Sequence, residues 1–303
     1  MKTIPELASH SVGSFLASHM QRKFGCSGAD LAEIVPSIAR LALGCIGNSD
    51  ALYHNVEHTM LVTLAGHEIL EGRALLHGNV SADEYAHFII ACLMHDIGFV
   101  RGIVQGDGKD GYVVDNTGRK VTLPRGASDA ALFRYHVDRS KLFVMQCIKP
   151  VAGIDAERVA RAVEYTRFPI SNGAKGEEDE VNTLVRAADY IGQLGDPNYL
   201  TKANALYYEF EEAGLNRQLG YSSPADIVSF YPQFYWKSVY PHIQTAIGYL
   251  KATPRGRQWI ANVHSNVFRA ESEISLSGPE MRGFPAVVEL GREALPTLGV
   301  GSG

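Results

Sequence analysis

Phe88-Ile89-Ile90-Ala91-Cys92-Leu93-Met94-His95-Asp96-Ile97-Gly98 is the stretch that decides the fold, because an unbroken apolar run leads directly into a histidine and an aspartate. An ionised carboxylate inside a protein is costly unless it is paired or bound to a metal. A buried helix that ends in His95 and Asp96 therefore predicts a cation site inside a helical protein.

A second string, Tyr53-His54-Asn55-Val56-Glu57-His58, precedes the first and carries two histidines. His54 and His58 are four residues apart, which would place them on one face of a helix. With His95 and Asp96, His58 completes a set of two imidazoles and one carboxylate. This set suits a divalent metal ion and predicts a hydrolytic metal site.

A fourth ligand is expected from a later helix. Asp189 follows Val185 by four residues and thus lies on the apolar stripe of a predicted helix over 177–194. A carboxylate on an apolar stripe faces the protein interior and needs a partner there. The alternative is that Asp189 is a plain buried cap.

The composition excludes several classes of function. The chain has 303 residues, a formal charge of −5, 46% hydrophobic residues and 20% charged residues. A negative charge argues against a nucleic acid as the main partner. We also expect no secretory signal and no membrane span. Four scattered cysteines, with no C-x-x-C pair, predict free thiols in the cytoplasm.

Helical periodicity dominates the sequence, so we predict an all-α fold in one domain over 1–303, with an irregular tail from about residue 277. A Gly- and Asp-rich segment, 102–126, predicts a small β-hairpin insertion. Because this segment follows Asp96 so closely, we expect it to form a rim over the metal site. Helices are predicted at about 31–41, 51–70, 81–96, 127–147, 155–166, 177–194, 198–213, 231–252 and 254–272.

The two strings resemble the HD superfamily of metal-dependent phosphohydrolases, whose pattern is His…His-Asp…Asp on separate helices of a bundle. Tyr53-His54-Asn55 with His58 is similar to the opening motif of class I cyclic nucleotide phosphodiesterases. The segment from Ser128 to His136 and Ala187-Ala188-Asp189 resemble later motifs of that family more loosely. The resemblance spans about residues 53–241.

The resemblance implies roles for individual residues. It makes His58, His95, Asp96 and Asp189 the metal ligands, with Asp96 bridging to a second ion. It makes His54 the general acid that protonates the leaving alkoxide. The predicted catalytic residues are therefore His54 and Asp96. The residues predicted to bind substrate are Tyr53, Asn55, His136, Arg167 and Gln193.

The chain also departs from the phosphodiesterase pattern. Phe99 stands where that family has a histidine, and Arg167 stands where it has an acid. Tyr231 takes the position of the glutamine that grips the purine, while Gln233 is displaced. A cyclic nucleotide is therefore only one of the candidate substrates.

We accordingly expect a phosphohydrolase that acts on a small-molecule phosphoester with one or two divalent ions (Mg, Mn, Fe, Ni or Zn) as cofactor. Two alternatives stay open: a mixed-valence di-iron oxygenase of the HD type, and a signalling module without catalysis. The sequence leaves a homo-oligomer open as well.

Overall fold

The computed structural model describes residues 3–78, 80–169 and 180–277. Helices dominate these residues and the only sheet among them has two short strands, which confirms the predicted all-α fold with a small hairpin. The helices are α1 (Ile4–Phe24), α2 (Ala29–Ile46), α3 (Val56–His77), α4 (Ala82–Met94), α5 (His136–Phe143), α6 (Ala156–Glu164), α7 (Glu180–Leu194), α8 (Ala203–Glu212), α9 (Asn216–Leu219), α10 (Pro224–Phe234), α11 (Tyr240–Leu250) and α12 (Pro254–Ser277).

Helix α4 lies at the centre of the molecule. Ser81 caps it by accepting a hydrogen bond from the Glu84 amide at 3.1 Å. Every residue from Phe88 to Met94 is buried. Helices α2, α3, α6 and α7 all pack against α4, so its C-terminus delivers His95 and Asp96 into the core.

Helix α3 begins later than predicted. The Oδ1 atom of Asn55 accepts hydrogen bonds from the amides of Glu57 (2.9 Å) and His58 (3.3 Å), so Asn55 is the N-cap. His54 precedes this cap and is not helical. The prediction that His54 and His58 share one helix face is therefore wrong, because a strong N-cap stops the helix between them.

The predicted hairpin is present but short. Strand β1 (Tyr112–Val113) pairs antiparallel with β2 (Lys120–Val121). The segment is anchored by the buried Arg139, which donates to Asp107 at 2.9 Å and to the Val113 carbonyl at 2.6 Å. No residue of 102–126 lines the cleft described below, so the prediction of a rim over the site is wrong.

Several other boundaries differ from expectation. The predicted 127–147 helix is broken into a 3₁₀ turn (Asp129–Leu132), α5 and a π-helical turn (Val144–Ile148). The region 216–234 holds α9 and α10, where a helix was expected only from residue 231. A second π-helical turn, Tyr235–Val239, separates α10 from α11. Helix α1 was not predicted at all.

Two of the sequence predictions lie partly or wholly outside the described residues, namely the start of the 177–194 helix and the tail beyond residue 277. Within the described ranges, no helix combines the length and the apolar character that crossing a bilayer requires.

Candidate metal centre

Four predicted ligands converge at the C-terminal end of α4. The Nε2 atom of His95 lies 3.0 Å from Asp96 Oδ2, 3.3 Å from His58 Nε2 and 3.6 Å from Asp189 Oδ1. His58 Nε2 lies 3.2 Å from Asp96 Oδ2 and 3.4 Å from Asp189 Oδ1. Two imidazoles and two carboxylates from three helical regions thus face one point.

The turn after α4 aims Asp96 at this point. The Ser140 hydroxyl donates to the His95 carbonyl at 2.7 Å and accepts from the Gly98 amide at 2.8 Å. A Cβ atom on residue 98 would lie only 1.9 Å from the carbonyl oxygen of His136. Only glycine permits this close approach of α5, so Gly98 and Ser140 together hold the turn in place.

Close packing of α7 against α3 brings Asp189 to the histidines. A Cβ atom on Gly192 would lie 2.6 Å from the Cα atom of Val62, which leaves no space for a side chain. Gly192 is three residues after Asp189, one helical turn along the same face. The small residue therefore sets the distance at which Asp189 reaches His58.

The chemistry of the donor set fits a cation. The Nδ1 atom of His95 is 2.8 Å from the Cys92 carbonyl, to which it donates, so a neutral ring presents a lone pair at Nε2. Asp96 Oδ2 is buried, and although two imidazole nitrogens lie 3.0 and 3.2 Å away, no described residue makes a well-oriented hydrogen bond to it. Lone pairs that face one another in the core require a positive charge between them.

The pKa shifts also indicate that this cluster is stabilised by a positive charge. Burial lowers the pKa of His95, but the carboxylates of Asp96 and Asp189 outweigh burial and raise it well above its usual range. Burial raises the pKa of Asp189, whereas His95 and His58 bring it down to about 2. Without a metal, the cluster retains a proton on an imidazole.

Glu209 of α8 is a member of the site that the sequence did not reveal. Its carboxylate pairs with the Nδ1 atom of His54 and accepts the amide of Tyr53 at 2.6 Å and that of His54 at 3.2 Å. Burial lowers the pKa of His54, but Glu209, together with Asp96 and Asp189, outweighs this effect and raises it to about 9. His54 is therefore protonated at neutral pH.

Phe99 occupies the space beside His54. Its ring stacks on the His54 ring at 4.7 Å and on the His136 ring at 4.4 Å, with interplanar angles of 18° and 11°. His136 Nε2 lies 3.6 Å from Asp96 Oδ1. Burial lowers the pKa of His136 to about 4, so this ring is neutral.

A cleft opens above Asp96 and Asp189 and encloses about 900 Å³ of empty space, counting its open mouth. His54, His136, Thr166, Arg186 and Gln193 also line it. Most of the remaining lining is aromatic: Phe133, Phe168, Tyr190, Tyr199, Phe210, Tyr221, Tyr231 and Phe234. Such a cleft can receive a small molecule with an aromatic or apolar portion.

The comparisons with known proteins place this architecture in a family. The family model described as Npun_R2479-like matches residues 5–273, which include nearly all the described helices. The chain belongs to the Npun_R2479-like family. No curated protein matches the sequence.

Among the residues predicted to bind substrate, His136 and Gln193 line the cleft of the Npun_R2479-like chain, whereas Tyr53, Asn55 and Arg167 do not. Tyr53 is buried, with its ring 5.5 Å from that of His58. Asn55 is the cap of α3. These two residues shape the site from outside the cleft.

The position of Arg167 differs from the sequence prediction, because this side chain does not line the cleft. Its guanidinium donates to Asp138 at 2.8 Å and to Glu164 at 2.9 Å, because both acids lie beside it on α5 and α6. The arginine that lines the cleft is Arg186 on α7, whose Nε donates to the Tyr165 carbonyl at 2.8 Å. No sequence motif identifies Arg186 as a residue of the cleft.

Proposed function

We propose that this protein is a metal-dependent phosphohydrolase that cleaves a small phosphoester. The observation that carries the proposal is the convergence of His58, His95, Asp96 and Asp189 beneath a cleft that also presents a protonated His54. A binding site alone would have no need for a histidine held in its acid form beside the ligands.

The four converging side chains would hold a divalent ion. Such an ion supplies a Lewis acid and lowers the pKa of a coordinated water to near neutrality. Two imidazoles and two carboxylates match the donors that zinc and other borderline metals accept. The donors carry a charge of about −2, so the loaded site would be close to neutral and could accept an anionic ester.

His54 is the residue that would move a proton. Its ring lines the cleft, while its Nδ1 atom is held by Glu209, so Nε2 is left to donate to a leaving oxygen. General acids of this kind contribute roughly 10²–10⁴-fold to rate. Glu209 acts as a positioning residue, because its carboxylate orients the ring and retains the proton.

The residues around Asp96 favour a single ion. Beyond the four ligands, the free oxygen Asp96 Oδ1 has His136 Nε2 within 3.6 Å, but Phe99 and Phe133 contribute only carbon to this side of the described site. A di-iron oxygenase needs further nitrogen or oxygen ligands for its second iron. We therefore favour hydrolysis over the oxygenase alternative.

The lining of the cleft indicates the substrate class. Aromatic rings from α7, α8 and α10 would stack on an aromatic or apolar group, and Gln193 and Arg186 would contact polar atoms. We propose a phosphoester of a small organic molecule, with a nucleotide phosphodiester among the candidates. The free cysteines agree with a cytoplasmic location, which is part of the same proposal.

A panel of phosphoesters tests the proposed function. The purified protein, stripped of metal, would be assayed on nitrophenyl phosphate, bis-nitrophenyl phosphate and cyclic nucleotides with Mn²⁺, Mg²⁺, Ni²⁺, Fe²⁺ or Zn²⁺. We expect hydrolysis of at least one ester with one of these ions and none with Asp189→Asn. Oxygen consumption with Fe²⁺ and no phosphate release would instead support the oxygenase.

Glu209→Gln tests how the acid is held. His54 is protonated below pH 9 and loses its proton as the pH rises through about 9. Because the amide carries no charge, the pKa of His54 should fall and the alkaline limb of the kcat profile should move to lower pH. We expect kcat at pH 8 to fall roughly 10- to 100-fold.

The neighbouring acid Glu212 on α8 offers a control, since it bonds to Ser128 outside the cleft. Glu212→Gln should leave the pH profile unchanged. If Glu209→Gln also left the alkaline limb in place, Glu209 would not set the proton affinity of His54.

A further inference from the structure

A second group of metal-type ligands lies on the opposite side of α3. His67 follows His58 by nine residues, which turns it to the other face and moves it about 13 Å along the helix axis. One ligand atom from each of His19 (α1), His67 and Glu71 lies within 4.8 Å of the other two. This cluster shares no residue with the candidate metal centre.

The orphaned nitrogen of His19 points to a missing ligand. The Nε2 atom is buried and has no hydrogen-bond partner among the described residues, and the side chain is only 9% exposed. Glu71 Oε1 lies 3.6 Å away, too far for a good hydrogen bond. A buried polar atom without a partner is costly, and an ion between the two would satisfy both.

His67 is prepared to act as a ligand. Its Nδ1 atom lies 2.9 Å from the Tyr85 hydroxyl, which fixes the ring; in the tautomer in which Nδ1 donates to this hydroxyl, Nε2 presents a lone pair. Burial lowers the pKa of His67 to about 3, which agrees with a neutral imidazole. Nε2 lies 3.9 Å from Glu68 Oε1, so a second carboxylate borders the cluster.

Lys23 forms an ion pair with Glu71 at the edge of the cluster. Its ammonium supplies the positive charge that this carboxylate would otherwise take from a metal. Glu71 is also the most exposed of the three candidate ligands, with 30% of its side chain accessible. An ion could therefore reach the cluster at Glu71 in exchange for the ammonium.

We propose that His19, His67 and Glu71 form a second site for a borderline divalent ion, typified by Zn²⁺. Two imidazoles and one carboxylate are a common zinc set, with water or Glu68 as the fourth ligand. Since His19 belongs to α1 and the other two ligands belong to α3, the ion would tie the N-terminal helix to the core. The site would be structural, because the lining of the cleft includes none of these residues.

Zinc titration tests the proposal. Metal-free protein would be titrated with Zn²⁺ against a chromophoric chelator, and the number of bound equivalents would be counted. His19→Gln and Glu71→Gln should each bind one equivalent fewer than the wild type and keep the activity that the other centre supports. His10→Gln, an exposed histidine on the same helix, should bind as many as the wild type.

Failure of the two proposals gives different results. If only the catalytic proposal fails, His19→Gln still loses one equivalent. If both variants are folded by circular dichroism and bind as much Zn²⁺ as the wild type, the second site does not exist. Zn²⁺ should also raise the Tm of wild type more than that of His19→Gln, since a ligand stabilises only the state that binds it.

Lys23→Met separates a metal site from simple packing. Without the competing ammonium of Lys23, Zn²⁺ should bind to this site roughly tenfold more tightly, because the Glu71 carboxylate is freed. If Lys23 only neutralises Glu71 within a packed cluster, the substitution would lower Tm and leave zinc affinity unchanged, which would contradict the proposal.

Discussion

Asp96→Asn is expected to abolish metal binding at the centre beside α4 and to lower kcat for phosphoester hydrolysis by roughly 10³-fold or more, since the proposed reaction would lose its Lewis acid with that ion. Asp96 contributes the oxygen that lies closest to both imidazoles, at 3.0 and 3.2 Å. Asparagine keeps the shape of the side chain but removes the negative charge. The substitution therefore tests charge and ligation rather than packing.

The measurements are metal content by mass spectrometry and phosphate release on the best ester of the panel. Asp30→Asn is a suitable control, because Asp30 is an exposed acid in the first turn of α2. It should retain full metal content and activity. A folded Asp96→Asn protein with normal metal content would show that Asp96 is not a ligand.

His54→Ala should have the second-largest effect, and it separates catalysis from metal binding. His54 pairs with Glu209 and lies outside the set of four candidate ligands that converge at the C-terminal end of α4. We expect bound metal to be retained while kcat for an alkyl phosphoester falls roughly 10²–10⁴-fold. A nitrophenyl ester should be affected much less, because nitrophenolate leaves without a proton.

Comparison of the two leaving groups is the decisive measurement. Equal losses on alkyl and nitrophenyl esters would show that His54 is not the acid. Loss of metal in the variant would make His54 a ligand. His77→Ala, at the exposed end of α3, serves as a control and should change neither metal content nor kcat.

The sequence alone determined much of the fold and the core of the site. The apolar run before His95 indicated a buried helix, and the all-α class follows from helical periodicity. Ser81 and Asp155 act as N-caps close to the predicted helix starts, because capping depends on residues adjacent in sequence. The four candidate ligands were identified because metal ligands are polar residues at positions that are otherwise apolar.

The tertiary structure decided the features that depend on residues distant in sequence. Glu209 meets His54 across 155 positions, and its helix carries no motif that identifies it. The sequence does not show which of Arg167 and Arg186 lines the cleft. The structure does, because it pairs Arg167 with neighbouring acids. His19 and His67 come together only because α1 docks beside α3.

The position of the hairpin also depends on residues that are distant in sequence. Its proximity to Asp96 in sequence predicted a rim, but the segment is anchored by hydrogen bonds from the buried Arg139 to Asp107 and Val113, and none of its residues lines the cleft. Local patterns specify which residues form helices and caps, since those bonds join near neighbours. The positions of side chains from separate helices depend on packing, which the tertiary structure alone determines.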